Sequence, residues 1–190
     1  MLSTLRSAVM LFAGLTIVVG IVYPLAMTGV AKVAFNDQAE GSLIVKDGKV
    51  VGSSLIGQSF SSPQLFWGRP SATGPMANNG VNSSGSNLGP TNAAQLDNVK
   101  ARVEALKAAD PSNTTAIPVD LVTASASGLD PEISLAAAYY QVPRIARERK
   151  MTETQVRALV DQFVQKPLMG LFGEPRVNVL QLNLALSPSK

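Results

Sequence analysis

Residues 7–31 form a run of 25 positions without a charge, bracketed by Arg6 and Lys32. Wound as a helix at 1.5 Å per residue, the run reaches about 37 Å, against about 30 Å for the hydrocarbon layer of a bilayer. A charged side chain at the centre of such a span costs on the order of 3 kcal/mol, and none is present. A cleaved leader has a shorter apolar core followed by a small-x-small site. Here the run is longer, and no Ala-x-Ala precedes Lys32. The sequence therefore predicts a short tail at 1–6, a retained transmembrane helix at 7–31 and an extramembrane part at 32–190.

Ala13, Thr16 and Gly20 share one face of a straight helix, and small residues let a second helix approach closely in lipid. This face is the candidate for packing against a partner helix. Tyr23, Pro24 and Gly29 lie toward the far end. Charge decides orientation weakly. Arg6 flanks one side, while Lys32, Lys46 and Lys49 on the other are diluted by Asp37, Glu40 and Asp47. The balance leans slightly toward an inside N-terminus.

Two absences exclude whole mechanisms. The chain has no histidine and no cysteine. That removes Ser-His-Asp and Cys-His nucleophile systems and the usual zinc, copper, haem and iron–sulfur ligand sets. The net charge is +3, and +2 without Arg6, too mild for a nucleic-acid binder. Attraction to membrane lipid remains open.

Beyond the span, the pattern predicts an α+β domain large enough for its own core. Asp47-Gly48 between two short apolar runs signals a type I′ hairpin. Leu65-Phe66-Trp67 reads as a strand or a tight loop. A long polar loop is expected over 71–95, rich in Asn, Ser, Gly and Pro. A helix follows, with Leu96, Val99, Val103 and Leu106 as its apolar stripe, Arg102 largely off it, and Thr91 or Asn92 as its cap. Residues 119–123 read as a buried strand. Asp130-Pro131-Glu132 reads as a helix start, with Pro143 breaking or restarting that helix. Thr152 and Gln155 form a capping box for another helix. Residues 177–186 read as strand first and helix after: Leu180, Leu182, Leu184 and Leu186 alternate, and Asn178 is a candidate helix cap.

Candidate chemistry is sparse. Residues 52–59 have P-loop spacing but no lysine to reach terminal phosphates, so a hairpin exit is the better reading. Residues 123–130, rich in small hydroxyl side chains, suit tight packing, capping or contact with a ligand or partner. Ser187 and Lys190 give the only Ser-x-x-Lys spacing, at the extreme tail. Arg144, Arg147, Arg149 and Lys150 set against Glu148 make a local +3. They read as a solvated helix face or as a docking surface for acidic protein or lipid headgroups. The acids are scattered, with no paired catalytic carboxylates and no calcium loop. A tethered carboxylate hydrolase is a weak alternative. A membrane-anchored extracytoplasmic scaffold or binding module of another assembly is the stronger one.

Seven blocks in order carry a resemblance. They are Gly-Ser-Leu-Ile at 41–44, residues 52–60 with Leu-Ile-Gly-Gln at 55–58, and Gly-Arg-Pro-Ser-Ala-Thr at 68–73. Next come Ser-Gly-Ser-Asn-Leu at 84–88, Leu-Val-Thr-Ala-Ser-Ala-Ser-Gly-Leu-Asp at 121–130 and Gln-Val-Pro-Arg at 141–144. Last are Val-Asn-Val-Leu at 177–180 with Leu-Asn-Leu-Ala-Leu at 182–186. Together with the N-terminal span, these resemble the C subunit family of the bacterial Kdp potassium-transporting P-type ATPase.

The resemblance implies a non-catalytic accessory subunit in the inner membrane, its soluble domain outside. The implied partners are a channel-like potassium-translocating subunit, a P-type catalytic subunit and a very small membrane subunit. It also implies a catalytic chaperone that raises the catalytic subunit's affinity for ATP, with no tightly bound cofactor of its own. The chain agrees in lacking the Asp-Lys-Thr-Gly phosphorylation motif of such pumps. Ser84, Gly85, Ser86, Asn87 and Gln141 are the implied positions for nucleotide contact. Ser-Gly-Ser stands where Ser-Gly-Gly is typical, which weakens a glycine-dependent anion nest. An outside domain and an inside nucleotide also conflict, so coupling through neighbouring subunits is the expected route.

Overall fold

The computed structural model describes residues 2–186. Ser187 and Lys190 lie outside the described residues. Two compact units divide the chain, residues 1–51 and 52–190.

In the first unit, an apolar helix runs over Leu2–Ala34, long enough to cross a bilayer. It exceeds the predicted 7–31 because nothing at Arg6 or Lys32 stops a helix. It is α-helical over Leu2–Ile17 (α1) and Tyr23–Ala34 (α2), with a π-helical turn at Val18–Val22 between them. The widened turn has a local cause. Pro24 has no N–H, and its ring crowds the carbonyl four residues back. The turn immediately before it opens to i→i+5 bonding, with the Tyr23 N–H donating to the Val18 carbonyl. The Thr28 hydroxyl donates to the Pro24 carbonyl at 2.8 Å. A short helix (α3, Asn36–Ala39) follows.

A hairpin (β1, Leu43–Lys46; β2, Lys49–Ser53) continues the chain. Asp47 at φ 52° and Gly48 at φ 73° supply the two left-handed residues that a type I′ turn requires.

The second unit is built on a three-stranded antiparallel sheet. Its strands are β3 (Glu132–Ser134), β4 (Val164–Gln165) and β5 (Arg176–Asn178), in the order β3-β5-β4. Ile133 and Val164 both stand opposite Val177. Its helices are α4 (Ala93–Ala109), α5 (Leu135–Arg149), α6 (Glu153–Gln162) and α7 (Val179–Leu186). The core joins Phe66, Leu106, Leu121, Val142, Ile145, Val156, Val160 and Leu182. The fold is α+β, as expected.

Several local signals act as read. Asn92 caps α4, its side chain accepting the Ala94 N–H at 2.9 Å. Thr152 and Gln155 complete the capping box of α6. Asn178 ends β5 and accepts the Gln181 N–H at 3.1 Å, opening α7.

Others are overridden. Residues 119–121 form a 3₁₀ turn rather than a strand, with Leu121 buried and Val119 exposed. Asp130 does not start a helix. Residues 132–134 pair with β5 instead, and the helix begins only at Ser134, whose hydroxyl accepts the Ala137 N–H at 3.0 Å. A strand partner outweighs a local capping signal. Pro143 does not break α5, which continues to Arg149 because Val142, Ile145 and Ala146 on the same turns are buried. On α4 only Leu106 of the predicted stripe is fully buried, and Leu96 is half exposed.

Candidate functional site

The centre of the second unit is an irregular strap, residues 62–68, that enters the core without joining the sheet. Phe66 is fully buried and Trp67 nearly so. Buried backbone groups need partners, and here side chains supply them. Asn183 accepts the Phe66 N–H at 2.8 Å and donates to the Phe66 carbonyl at 3.0 Å. Gln141, 1% exposed, does the same for Trp67 and also donates to the Ala137 carbonyl at 3.2 Å. Its polar atoms are therefore engaged inside the protein. Gln141, an implied position for nucleotide contact, is placed by the structure in the core against the strap.

Arg144 is the other clamp. It is 2% exposed and donates to the carbonyls of Pro63 and Leu65 and to Gln141 Oε1. Its guanidinium lies 4.8 Å from the centre of the Trp67 ring, a cation–π distance. Burial pushes its pKa down to about 10, partly offset by the Asp110 and Glu148 carboxylates. It remains charged at neutral pH. Arg144 thus lies in the core, and the four basic residues at 144–150 have different surroundings. Arg149 donates to the Gln64 and Leu186 carbonyls, each at 2.6 Å. Arg147 pairs with the buried Asp110 at 2.8 Å and with Glu148 at 3.6 Å. Lys150 is exposed and caps α5 at φ 55°. A helical wheel shows little of this, because most of the acceptors lie far away in sequence.

Arg102 also escaped the sequence reading. Its Nε and Nη2 each donate at 2.9 Å, to the Leu121 and Gly68 carbonyls, and it sits 5.1 Å from the Trp67 ring centre. Burial lowers its pKa.

The strap delivers the chain into the polar loop, which is tied to residues 123–130. Arg69 pairs with Asp130 at 3.0 Å. The Ser71 hydroxyl donates to the Gly128 carbonyl at 2.6 Å. The Ser84 N–H donates to the Ser127 carbonyl at 3.0 Å. Gly85 lies so close to Ala126 that an added Cβ would stand 2.8 Å from its carbonyl oxygen. The glycine in the 84–88 block thus permits a close backbone approach to residue 126. Asn87 adopts φ 53°, in the left-handed region.

Between the loop and α4 lies a cleft of about 420 Å³, bordered by Ser71, Ser86, Gln95, Asn98, Arg102 and Ala124. Ser86 is the one expected nucleotide position that reaches it. Among the described residues Arg102 is its only charged wall, and two of its nitrogens already serve carbonyls. Triphosphate recognition relies on several free donors or cations.

Ala13, Thr16 and Gly20 are exposed on the span. Gly20 falls inside the π-helical turn, whereas Ala13 and Thr16 precede it, so straight-helix spacing does not relate all three.

Comparison with known proteins adds a match to the family model described as "KdpC: K+-transporting ATPase, c chain" over residues 5–188. The chain is 66% identical over 186 residues to the "Potassium-transporting ATPase KdpC subunit" of Janthinobacterium sp. (strain Marseille), covering 98% of each chain. It is 64% identical over 186 residues to the protein of that name from Dechloromonas aromatica (strain RCB), covering 98% of this chain and 97% of the relative. It is 60% identical over 190 residues to that from Polaromonas naphthalenivorans (strain CJ2), covering 100% and 97%.

Proposed function

The chain belongs to the KdpC family, the c chain of K+-transporting ATPases, and on that premise we propose that it acts by assembly and coupling rather than by nucleotide contact. It is a single-pass membrane subunit of a potassium-transporting ATPase and not the catalytic subunit. Its proposed partners are a channel-like potassium-translocating subunit, a P-type subunit that hydrolyses ATP and a small membrane subunit. The soluble domain is placed outside the membrane in this reading. It raises the catalytic subunit's apparent affinity for ATP through the subunits it touches, as a coupling between distinct sites.

The observation that supports coupling is the destination of Gln141 and Arg144. The polar side chains with most binding chemistry in the 141–144 block are engaged in holding residues 63–67. A rigid domain on a membrane anchor suits a device that biases a neighbour's conformation.

The test uses the complex purified with and without this chain. Its removal is expected to weaken co-purification of the remaining subunits and to raise the KM for ATP. A photoreactive ATP analogue is expected to label the catalytic subunit alone. Labelling of this chain at 84–88 or at Gln141 would establish direct contact and end the coupling account.

A further inference from the structure

Residues 167–173 read Pro-Leu-Met-Gly-Leu-Phe-Gly, seven positions without one polar side chain. They connect β4 to β5 as a tight turn, closed by a bridge between Leu168 and Phe172, with Met169 at φ 54° and Gly170 at φ 73°. The turn points its large side chains outward. Leu168 is 68% exposed, Met169 84%, Leu171 82% and Phe172 64%. Scattered exposed apolar residues are ordinary in proteins, but four within five positions form a contiguous apolar knob.

The backbone supplies the second observation. The Leu168 N–H donates to the Phe172 carbonyl at 2.9 Å, and the Gly170 N–H to the Pro167 carbonyl at 3.0 Å. The Leu171 and Phe172 N–H groups donate to the Leu168 carbonyl at 3.1 and 3.0 Å. Pro167 has no N–H to satisfy. Turns close in this way in water as well, but in an apolar phase the closure counts for more, because a bare N–H in hydrocarbon is expensive.

We propose that the 167–173 turn inserts into the boundary between headgroups and acyl chains of a lipid bilayer. The occupant follows from three facts together. The chain has its own transmembrane helix, which keeps a bilayer within tether reach of the domain and raises its effective concentration there. The knob carries no polar side chain that would lose its hydration on entering lipid. Lys166, exposed just before the knob, has the long stem and charged head that lie well along a headgroup layer. Glu174 follows the knob and marks where the chain returns to water. This inference goes beyond the coupling role and does not rest on it.

The natural absence of cysteine permits a clean test. Leu171→Cys and, separately, Met169→Cys are labelled with an environment-sensitive fluorophore in the full-length chain reconstituted into phosphatidylcholine vesicles. Lys107→Cys, on an exposed position of α4, is the reference. Both turn labels are expected to emit to the blue of the reference and to lose intensity when the lipid acyl chains are brominated. Trp67 emission, unchanged from the unlabelled chain, confirms the fold. Emission like that of the reference at both positions overturns the proposal. So does a blue shift without bromine quenching, which means a protein groove or self-association. Equal quenching at Lys107 overturns it as well, since the fluorophore itself then seeks the lipid.

Discussion

Gln141 grips Trp67 by both of its backbone groups: Oε1 accepts the Trp67 N–H at 2.7 Å, and Nε2 donates to the Trp67 carbonyl at 3.1 Å. Truncating the side chain strands both groups in the core. Each orphaned buried group costs about 1–3 kcal/mol. Gln141→Ala is therefore expected to destabilise the domain by about 2–4 kcal/mol. Gln141→Leu, which restores volume, should lose nearly as much. Urea denaturation of the detergent-solubilised chain reads this through Trp67, the only tryptophan. Wild-type stability in the leucine variant would show that packing alone holds the strap.

Arg144 tests charge geometry rather than charge. Its guanidinium spans the Pro63 and Leu65 carbonyls and Gln141 Oε1 while lying against Trp67. Lysine keeps the charge but presents a compact ammonium that cannot make that fork. Arg144→Lys is expected to cost about 3 kcal/mol, close to Arg144→Ala. The same denaturation experiment measures it, and full retention by lysine contradicts the fork.

Gly128 holds the polar loop against 123–130. It sits at φ +68°, and an added Cβ would stand 2.6 Å from both the Ser84 carbonyl oxygen and Thr73 Cγ2. Gly128→Ala should cost about 2–3 kcal/mol and open residues 71–95 to protease. Gly89, with nothing within 4 Å of its notional Cβ, is the control: Gly89→Ala should leave the digestion pattern as it is.

Tyr140 gives the alkaline limit. Burial first, and then the Asp110 carboxylate, raise its hydroxyl pKa above the ordinary value of 10.0. The unfolded chain releases that proton near pH 10 and the folded chain only above it. The contribution to stability is therefore complete below about pH 10 and is lost as pH rises through the folded value. Tyr140→Phe is expected to lose less stability than wild type between neutral pH and that range. The comparison cancels the opposite lean of Arg144, whose pKa is lowered in both proteins. Parallel pH profiles for the two proteins refute the assignment.

Pro24 sets the phase of the span. Without it, the turn at Val18–Val22 has no reason to widen. Pro24→Ala should restore a regular helix and rotate the residues before the turn relative to those after it by about 100°, one residue's share at 3.6 per turn. Cysteine accessibility scanned from Ala13 to Thr28 in lipid checks this. An unchanged periodicity on both sides of Gly20 counts against the proline as cause.

What the sequence disclosed was local. The Asp47-Gly48 turn, the Thr152–Gln155 box and the Asn178 switch from strand to helix each depend on neighbours within a few residues. Their side chains act on nearby backbone, so their patterns are legible in one dimension. The strap was illegible for the opposite reason. Trp67 and Gln141 are 74 residues apart, and Phe66 and Asn183 are 117 apart. No periodicity encodes such pairings, so Arg102 and Arg144 looked like ordinary surface cations. The failed helix start at Asp130 has a related cause. Its capping signal is real, and the Asp130 side chain does accept the Glu132 N–H at 3.0 Å, but β5 claims the following residues. Sequence could place Ser86 in a polar loop but not beside α4.

The strap takes its deepest backbone bonds from side chains 74 to 117 residues away. During synthesis, Phe66 leaves the ribosome 117 residues before the Asn183 amide that receives it. The apolar anchor emerges earlier still. The Phe66 backbone therefore has no receiving amide until the last helix has been made, long after the anchor is available to the bilayer.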